Sequence, residues 1–193
     1  MNHTPFDLER HIDVVIDRIA SDRLATQHLA SLGHQRLGVL AWPEDSRVGN
    51  DRMDGFVQGL EETGLSLEKK RIYRGEGTYE HGYAGMNTLL GLSKTLRPSA
   101  VLCMNDEMAF GAIDCLSEHK LLAGKDFGIV GFDDVPAARL SKPSLTSLRQ
   151  PVDQVGTAIM QRLINWLETD TQPEPKQELM LPELIVREST QPN

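Results

Sequence analysis

The chain has 193 residues and a mass of 21.5 kDa, a length that suits one or two domains with a substantial core. Its composition, 39% hydrophobic and 25% charged, is typical of a soluble globular protein and excludes disordered, fibrous and disulfide-rich classes. The formal net charge of −8 opposes contact with a polyphosphate, so this chain alone is not expected to bind DNA.

The sequence carries no targeting or membrane signal. MNHTPFDLER has no apolar run behind a basic segment, and no stretch approaches the roughly 18 apolar residues of a membrane span. We therefore expect a cytoplasmic protein without membrane contact. Cys103 and Cys115 lie in apolar surroundings without CxxC or Cys/His spacing, which predicts buried free thiols and no structural metal.

Short β-rich runs alternate with helix-period segments along the chain, which predicts an α/β fold with a parallel sheet. The near-continuous apolar runs suit strands that are covered on both faces. The predicted strands are Ile12–Asp17, Arg36–Trp42, Lys70–Gly75, Ala100–Met104, Phe127–Phe132, Leu145–Arg149 and Leu179–Arg187. The predicted helices are Asp22–Ser31, Asn50–Thr63, Tyr79–Leu92, the segment that follows Asn105, and Pro151–Glu168.

Polar side chains follow the carboxyl ends of these strands, which is where open parallel sheets bind ligands. Arg52 lies beyond RLGVLAW, Asn105 follows AVLCM, Asp133 and Asp134 follow FGIVGF, and Gln150 follows LTSLR. Guanidinium and amide groups form paired, directional hydrogen bonds, and carboxylates accept hydrogen bonds from hydroxyls. The set therefore predicts a site for a sugar or a purine edge.

Each of these residues also has a purely structural interpretation. Asn105 stands where the following helix needs an N-cap, and Asp133 or Asp134 is similarly placed to cap the short segment after it. Arg52 is a candidate for a solvated helix residue paired with a neighbouring acid, Asp51 or Asp54. Gln150, in LRQPVD, also suits the position directly before the proline that begins a helix.

Other chemical signatures are weak or absent. Gly75, Gly77 and Gly82 do not make GxGxxG, and the chain has no GxxxxGK[ST], so neither nucleotide-binding motif is supported. His28 and His34 are off the spacing of a helical metal pair. The sequence therefore predicts no metal and no cofactor, and it lacks the nucleophile–base pairing or phosphate loop of a hydrolase or phosphotransferase.

An ordered series of segments resembles the effector-binding part of the lactose/galactose repressor (LacI/GalR) family of bacterial transcription regulators. The series is HLASLGH, RLGVL, DRMDGF, HGYAGMNTLL, AVLCMNDEMAFGAIDCL and FGIVGFDDVPAARLSKPSLTSLRQPVDQVG. It covers residues 14–188. The resemblance implies a periplasmic-binding-protein-like (type I) fold in which a small effector, often a sugar or a purine, lies between two α/β lobes, the C-terminal lobe being the one mainly present here.

The resemblance assigns effector contact to Asp17, Arg52, Asn105, Asp133 and Gln150. It also implies a homodimer, and an N-terminal helix-turn-helix for operator DNA that this sequence does not contain. Many relatives place an aromatic residue in the loop after the second strand. This chain has Gly77 at that position, in GEGTYE. Tyr79 is the alternative aromatic residue that could stack on a sugar.

The same resemblance suggests how the chain is organised. Residues 1–17 are interpreted as a remnant of the N-terminal lobe with its crossover, and residues 18–149 as the C-terminal effector-binding lobe. Residues 150–178 form a segment that packs on the N-terminal lobe, and residues 179–193 a return strand and tail. On this interpretation the chain starts within a larger architecture, and the apolar face of the 151–168 helix lacks its native cover.

Helical spacing also marks a candidate contact surface. A broad arc collects the apolar residues Met108, Ala109, Ala112, Ile113, Cys115 and Leu116. Phe110 points away from the centre of that arc, and by resemblance its helix and the loop after the paired aspartates lie in the dimer interface. We therefore predict Phe110 as a dimer contact, with a solitary exposed Phe as the alternative.

The sequence supports one function above two others. We predict a non-enzymatic, effector-binding domain of a LacI-type transcriptional regulator that responds to a small molecule, with a sugar as the first candidate. The alternative is a sugar-binding module of transport or chemotaxis, against which the absence of a secretion signal argues. An α/β hydrolase or phosphotransferase is the third class.

Overall fold

The computed structural model describes residues 14–169 and 178–191, so the first two residues of the predicted strand Ile12–Asp17 lie outside the described residues. In chain order the strands are β1 (Val14–Ile16), β2 (Leu37–Ala41), β3 (Ile72–Arg74), β4 (Ala100–Cys103), β5 (Gly128–Asp133), β6 (Thr146–Arg149), β7 (Glu178–Met180) and β8 (Glu183–Ile185). The helices are α1 (Arg18–Ser31), α2 (Arg47–Glu62), α3 (Tyr79–Leu90), α4 (Asp106–Glu118) and α5 (Val152–Thr169). Each predicted helix is confirmed.

The described residues form two compact units. The larger comprises 18–150 and 182–191, and the smaller comprises 14–17, 151–169 and 178–181. The larger unit contains a six-stranded sheet in the order β3-β2-β4-β5-β6-β8. All neighbouring strands in it are parallel except β6 and β8, which pair antiparallel.

The α/β prediction is confirmed, with one correction. The predicted strand Leu179–Arg187 is wrong as a single element, because the chain divides there into β7 and β8. Strand β7 pairs with β1 in the smaller unit, whereas β8 closes the edge of the larger sheet against β6. An apolar run indicates β structure but does not say which sheet provides the hydrogen-bonding partner.

Strands β2 and β4 are buried along their whole length, as expected for a sheet with helices on both faces. The connection from β2 to β3 runs in one direction along the sheet, and the connection from β3 to β4 runs back. Right-handed crossovers therefore put α2 and α3 on opposite faces. Helix α1 packs beside α2, and α4 packs beside α3.

The two helices of the first pair are in close backbone contact. Gly55 and Gly59 lie one turn apart on α2, and both face α1. A Cβ on Gly55 would lie 2.3 Å from the carbonyl oxygen of Ile19, and one on Gly59 would lie 2.6 Å from Cβ of Thr26. These contacts allow α1 to approach closely enough for short side chains to bridge the helices.

Helix α4 buries all six residues of the predicted apolar arc, and both cysteines are buried free thiols, as predicted. In the smaller unit, no residue of α5 is buried. Its apolar residues Ile159, Met160, Leu163, Ile164 and Leu167 are exposed. Across the described ranges 14–169 and 178–191, no helix is both long enough and apolar enough to cross a membrane.

Candidate functional site

The carboxyl ends of the parallel strands gather several polar side chains at one edge of the larger unit. The strand order reverses between β2 and β4, and open α/β sheets form their ligand crevices at such a switch point. Trp42 follows β2 and Asn105 follows β4. Asp133 ends β5, and Gln150 follows β6.

Arg52 is fully buried beneath this edge, at 1% exposure. Its Nε donates to Oδ2 of Asp22 and its Nη2 donates to Oδ1, both over 2.8 Å. Its Nη1 donates to the backbone carbonyl of Met104 at the end of β4. The interpretation of Arg52 as a solvated residue paired with Asp51 or Asp54 is therefore wrong, because the close contact of α1 and α2 provides a buried partner.

The guanidinium of Arg52 also stacks on an aromatic ring. Its Cζ lies 3.6 Å from the ring centroid of Phe132, and the indole of Trp42 lies 6.0 Å away. Complete burial raises the pKa of Asp22, while the charge and hydrogen bonds of Arg52 oppose that rise. The pair therefore joins α1, α2 and the ends of two strands in one contact network.

Asn105 has the capping role that its sequence position suggested. Its Oδ1 accepts the backbone N–H of Met108 over 2.8 Å, which caps the N-terminus of α4. Its Nδ2 donates to the carbonyl oxygen of Gly77 over 2.7 Å. The amide thus links the first turn of α4 to the loop after β3.

The loop after β3 packs against Trp42, an aromatic residue that was not predicted from the sequence to belong to the site. A Cβ on Gly77 would lie 2.8 Å from Nε1 of Trp42 and 2.8 Å from Nδ2 of Asn105. The Nε1 group of Trp42 is buried and has no hydrogen-bond partner among the residues that the structure describes. The indole of Trp42 therefore lies directly beside Gly77.

Tyr79, the alternative aromatic group, is held at the surface of α4. Its hydroxyl donates to Oδ2 of Asp114 over 2.6 Å. That hydrogen bond, with smaller contributions from burial and neighbouring charges, raises the pKa of Tyr79 to about 12. Trp42 is consequently the aromatic group nearer to the strand-end residues.

Asp133 and Gln150 contact one another at the same edge. Nε2 of Gln150 donates to Oδ1 of Asp133, and the Asp133 side chain is otherwise exposed. Asp133 has a φ of 112°, a positive value that few residues with a Cβ adopt. Partial desolvation of the carboxyl group raises its pKa, whereas the hydrogen bond from Gln150 and the positive charge of Arg52 lower it.

The prediction that Asp133 or Asp134 caps the following segment is wrong. The 3-10 helix Pro136–Arg139 has Val135 as its N-cap residue and no side-chain cap. Asp134 instead accepts Nε of Arg149 over 2.7 Å and lies 2.6 Å from Nη1 of Arg187. Burial acts to raise the pKa of Asp134, but these two guanidinium groups outweigh it and hold the pKa below its ordinary value.

A second buried acid, Asp106, supports the turn after β5. Its Oδ1 accepts the hydroxyl of Ser147 over 2.6 Å, and its Oδ2 accepts the backbone N–H of Val135 over 2.8 Å. The same Ser147 hydroxyl oxygen accepts the backbone N–H of Asp134 over 3.0 Å. Burial is the main reason that the pKa of Asp106 is raised to about 6.

The remaining predicted residues lie elsewhere. Asp17 belongs to the smaller unit, where its backbone N–H donates to the carbonyl of Met180 over 2.9 Å. Phe110 is half-buried rather than solitary and exposed, and it lines a concavity of about 420 Å³ with Ile113 and Leu140. Within residues 14–169 and 178–191, no group of His, Cys, Asp and Glu could hold a metal ion.

Two residues at this edge, Asp22 and Trp42, were not predicted from the sequence to belong to it. Asp22 was assigned only to a helix and Trp42 only to a strand, since each residue gains its contact from a distant segment. Asp106 directly follows Asn105 at the end of a predicted strand, so the sequence does put its carboxylate at this edge.

Comparison with known proteins identifies the family. Residues 26–190 match the model of the periplasmic binding protein-like domain, and the chain belongs to that family. Its relatives are LacI-family regulators. A structure of a LacI-family regulatory protein from Chloroflexus aggregans has a TM-score of 0.88 and 40% identity, with coverage of 98% of this chain and 66% of that one.

Two further relatives support this assignment. The HTH-type transcriptional repressor PurR of Actinobacillus pleuropneumoniae serotype 3 is 34% identical over 181 residues, which are 93% of this chain and 53% of the relative. The transcriptional regulator CelR in complex with cellobiose has a TM-score of 0.83 and 30% identity, covering 96% of this chain and 56% of that one. The chain thus spans about half the length of the curated relatives that it matches.

Proposed function

We propose that this chain is the ligand-sensing domain of a LacI-type transcription regulator and that the strand-end edge binds a small molecule of the sugar class. The observation that carries the proposal is that Asn105, Asp133 and Gln150 lie at one edge of the sheet, with Arg52 directly beneath. The structural likeness to a regulator in complex with cellobiose supports a carbohydrate.

Each residue at this edge has a different proposed role in ligand binding. The carboxylate of Asp133 accepts hydrogen bonds from two ligand hydroxyls, and the amide of Gln150 both donates and accepts. Trp42 offers an apolar ring face of the kind on which sugar C–H groups and purines pack. Arg52 is buried in this conformation, so it orients the ends of β4 and β5 from beneath through Met104 and Phe132.

The proposed signal is a change in the balance between two conformations. A ligand that contacts both lobes of the longer regulator favours the closed arrangement of those lobes. The strength of that bias equals the difference in ligand affinity between the two states. An N-terminal helix-turn-helix of the longer regulator then transmits the bias to operator DNA.

The proposed assembly is a homodimer that places two DNA-binding heads at the operator spacing. Phe110 and the concavity that it shares with Ile113 and Leu140 support this surface. Leu140 is 71% exposed, and a second copy of the chain would bury it. We assign the regulator to the cytoplasm, where its operator lies.

We further propose that the domain binds its ligand without converting it. A panel of sugars and nucleosides tests whether the domain binds a ligand and whether it converts it. Thermal unfolding is the readout of binding, and mass spectrometry is the readout of turnover. A cognate ligand raises the melting temperature by stabilising the folded state. The Asp133→Asn variant should lose that rise, whereas Asp126→Asn, at a surface turn, should retain it.

The longer gene product is the decisive sample when the reading frame continues upstream of Met1. An encoded helix-turn-helix there supports the regulator assignment, and its ligand response should exceed that of the chain alone because both lobes then contact the ligand. A panel that stabilises neither sample would contradict the proposed site, and conversion of any compound would contradict the binding-only function.

A further inference from the structure

The Asp22–Arg52 ion pair lies directly under the proposed ligand edge. Asp22 is 0% exposed and Arg52 is 1% exposed. Nη1 of Arg52 contacts the carbonyl of Met104, whose next residue is Asn105. Its ring contact is Phe132, whose next residue is Asp133. The pair therefore contacts the residues that directly precede two of the proposed ligand contacts.

The geometry uses most of the donor capacity of Arg52. A guanidinium carries five N–H hydrogens, of which two bind Asp22 and one binds Met104. Both oxygens of Asp22 accept an N–H, which is the bidentate arrangement of an ionised carboxylate. The positive charge is thus compensated at contact distance by a negative charge from α1.

The other charged side chains at this edge also have partners. Asp133 is exposed at the edge and has an uncharged amide, Gln150, as its side-chain partner. Asp134, the next residue, pairs with both Arg149 and Arg187, and Glu183 supplies the second negative charge 3.6 Å from Arg149. A ligand at this edge consequently meets the exposed carboxylate of Asp133, with Arg52 below it already paired with Asp22.

We propose that Asp22 is a specificity-determining residue, which compensates Arg52 so that the edge selects uncharged, hydroxyl-rich ligands and rejects phosphorylated or carboxylated ones. This inference rests on the proposed function, since it concerns the ligand class of the same site. An anion would have to displace a carboxylate that is already bound bidentately, and would lie near Asp133. A neutral polyol avoids both costs and donates its hydroxyl hydrogens to Asp133.

Inorganic phosphate tests the inference without knowledge of the ligand. The probe is titrated against chloride at constant ionic strength, and the melting temperature is recorded. Arg47, exposed in the first turn of α2, is replaced by Gln in every sample so that it does not bind the anion. Three chains are compared. The first keeps the native pair, the second carries Asp22→Asn, and the third carries Asp22→Asn together with Arg52→Met.

The native pair should show no phosphate-specific shift. Asp22→Asn leaves Arg52 uncompensated, and phosphate should then raise the melting temperature by about 2–4 °C, as expected for binding at a newly available cation. The double variant should lose that rise. A folded Asp22→Asn chain without a phosphate response would overturn the inference.

Two further measurements keep the test decisive. Asp22→Ser, which leaves room for water beside Arg52, replaces Asp22→Asn if the latter does not fold. If neither variant folds, NMR of the native chain decides: phosphate-dependent shifts at Arg52 overturn the inference, and their absence upholds it. Equal affinity for a neutral ligand and its phosphorylated derivative would also overturn it while leaving the proposed function intact.

Discussion

The side-chain amide of Asn105 donates to the carbonyl oxygen of Gly77 over 2.7 Å, which joins the end of β4 to the loop after β3. The indole nitrogen of Trp42 lies against the same glycine. Three strand ends thus meet around one residue without a side chain. This arrangement makes Gly77 a sensitive position for the proposed site.

We expect Gly77→Ala to disturb this contact. The added Cβ would lie 2.8 Å from both Trp42 and Asn105, so at least one of these side chains must move. Overpacking of this kind costs about 1–3 kcal/mol in unfolding free energy. Urea unfolding measures that loss, and tryptophan fluorescence in a Trp166→Phe background reports the movement of Trp42.

Gly156→Ala is the matched control for the glycine substitution. Gly156 lies on α5, and a Cβ there meets nothing within 4 Å. Helix propensity predicts a gain of up to about 1 kcal/mol at such a position. Equal effects of the two substitutions would show that Gly77 is not under packing constraint.

The pKa of Asp106 predicts a pH dependence of stability. The folded state raises this pKa from 3.8 to about 6, so the folded protein binds the proton more tightly than the unfolded chain. The resulting stabilisation is fully present below about pH 4 and is lost as the pH rises through about 6. Asp106→Asn removes the titration, and the native chain should gain about 1–3 kcal/mol relative to the variant between about pH 7 and pH 4.

Chemical unfolding at a series of pH values measures this difference. Other acids titrate in both chains, so the difference isolates the contribution of Asp106. Asp54→Asn, at an exposed position of α2, provides the control and should follow the native pH profile. A constant stability difference across the pH range would contradict the raised pKa.

Phe110→Asp should dissociate the proposed homodimer. The substitution puts a charge beside Ile113 and Leu140 in a concavity of about 420 Å³ that Asp114 and Lys142 also line. Loss of the apolar ring and desolvation of the new carboxylate in an interface should cost several kcal/mol of association energy. Sedimentation velocity at several concentrations measures the change. Leu122→Asp, at a 53% exposed position after α4, serves as the control, and a Phe110→Asp chain that remains fully dimeric would count against the surface.

The apolar face of α5 should bind hydrophobic dyes. Leu163 is 40% exposed and Leu167 is 76% exposed, and exposed apolar patches of this kind bind such probes. Replacement of both residues by Lys should reduce the fluorescence of bound 8-anilinonaphthalene-1-sulfonate. Unreduced fluorescence in the variant would contradict an exposed apolar face on α5.

The sequence alone was sufficient to predict the α/β class, the five helices and the strand ends that carry polar residues. These features depend on local periodicity and on the general rule that parallel strands present their carboxyl ends at one edge. Asn105 was predicted both as a cap and as a strand-end group because each role follows from its immediate neighbours. Gln150 and Asp133 were predicted at one edge for the same reason.

Only the tertiary structure decided which partner each buried charge has. Thirty positions separate Asp22 from Arg52, and no local pattern links them until Gly55 and Gly59 bring α1 against α2. The contact of Trp42 with Gly77 likewise joins segments that are distant in the sequence. The assignment of β7 and β8 to different sheets also depends on distant partners. Burial, and with it the strength of an ion pair, is a property of the packed molecule, so its consequences for ligand choice could not be deduced from the order of residues.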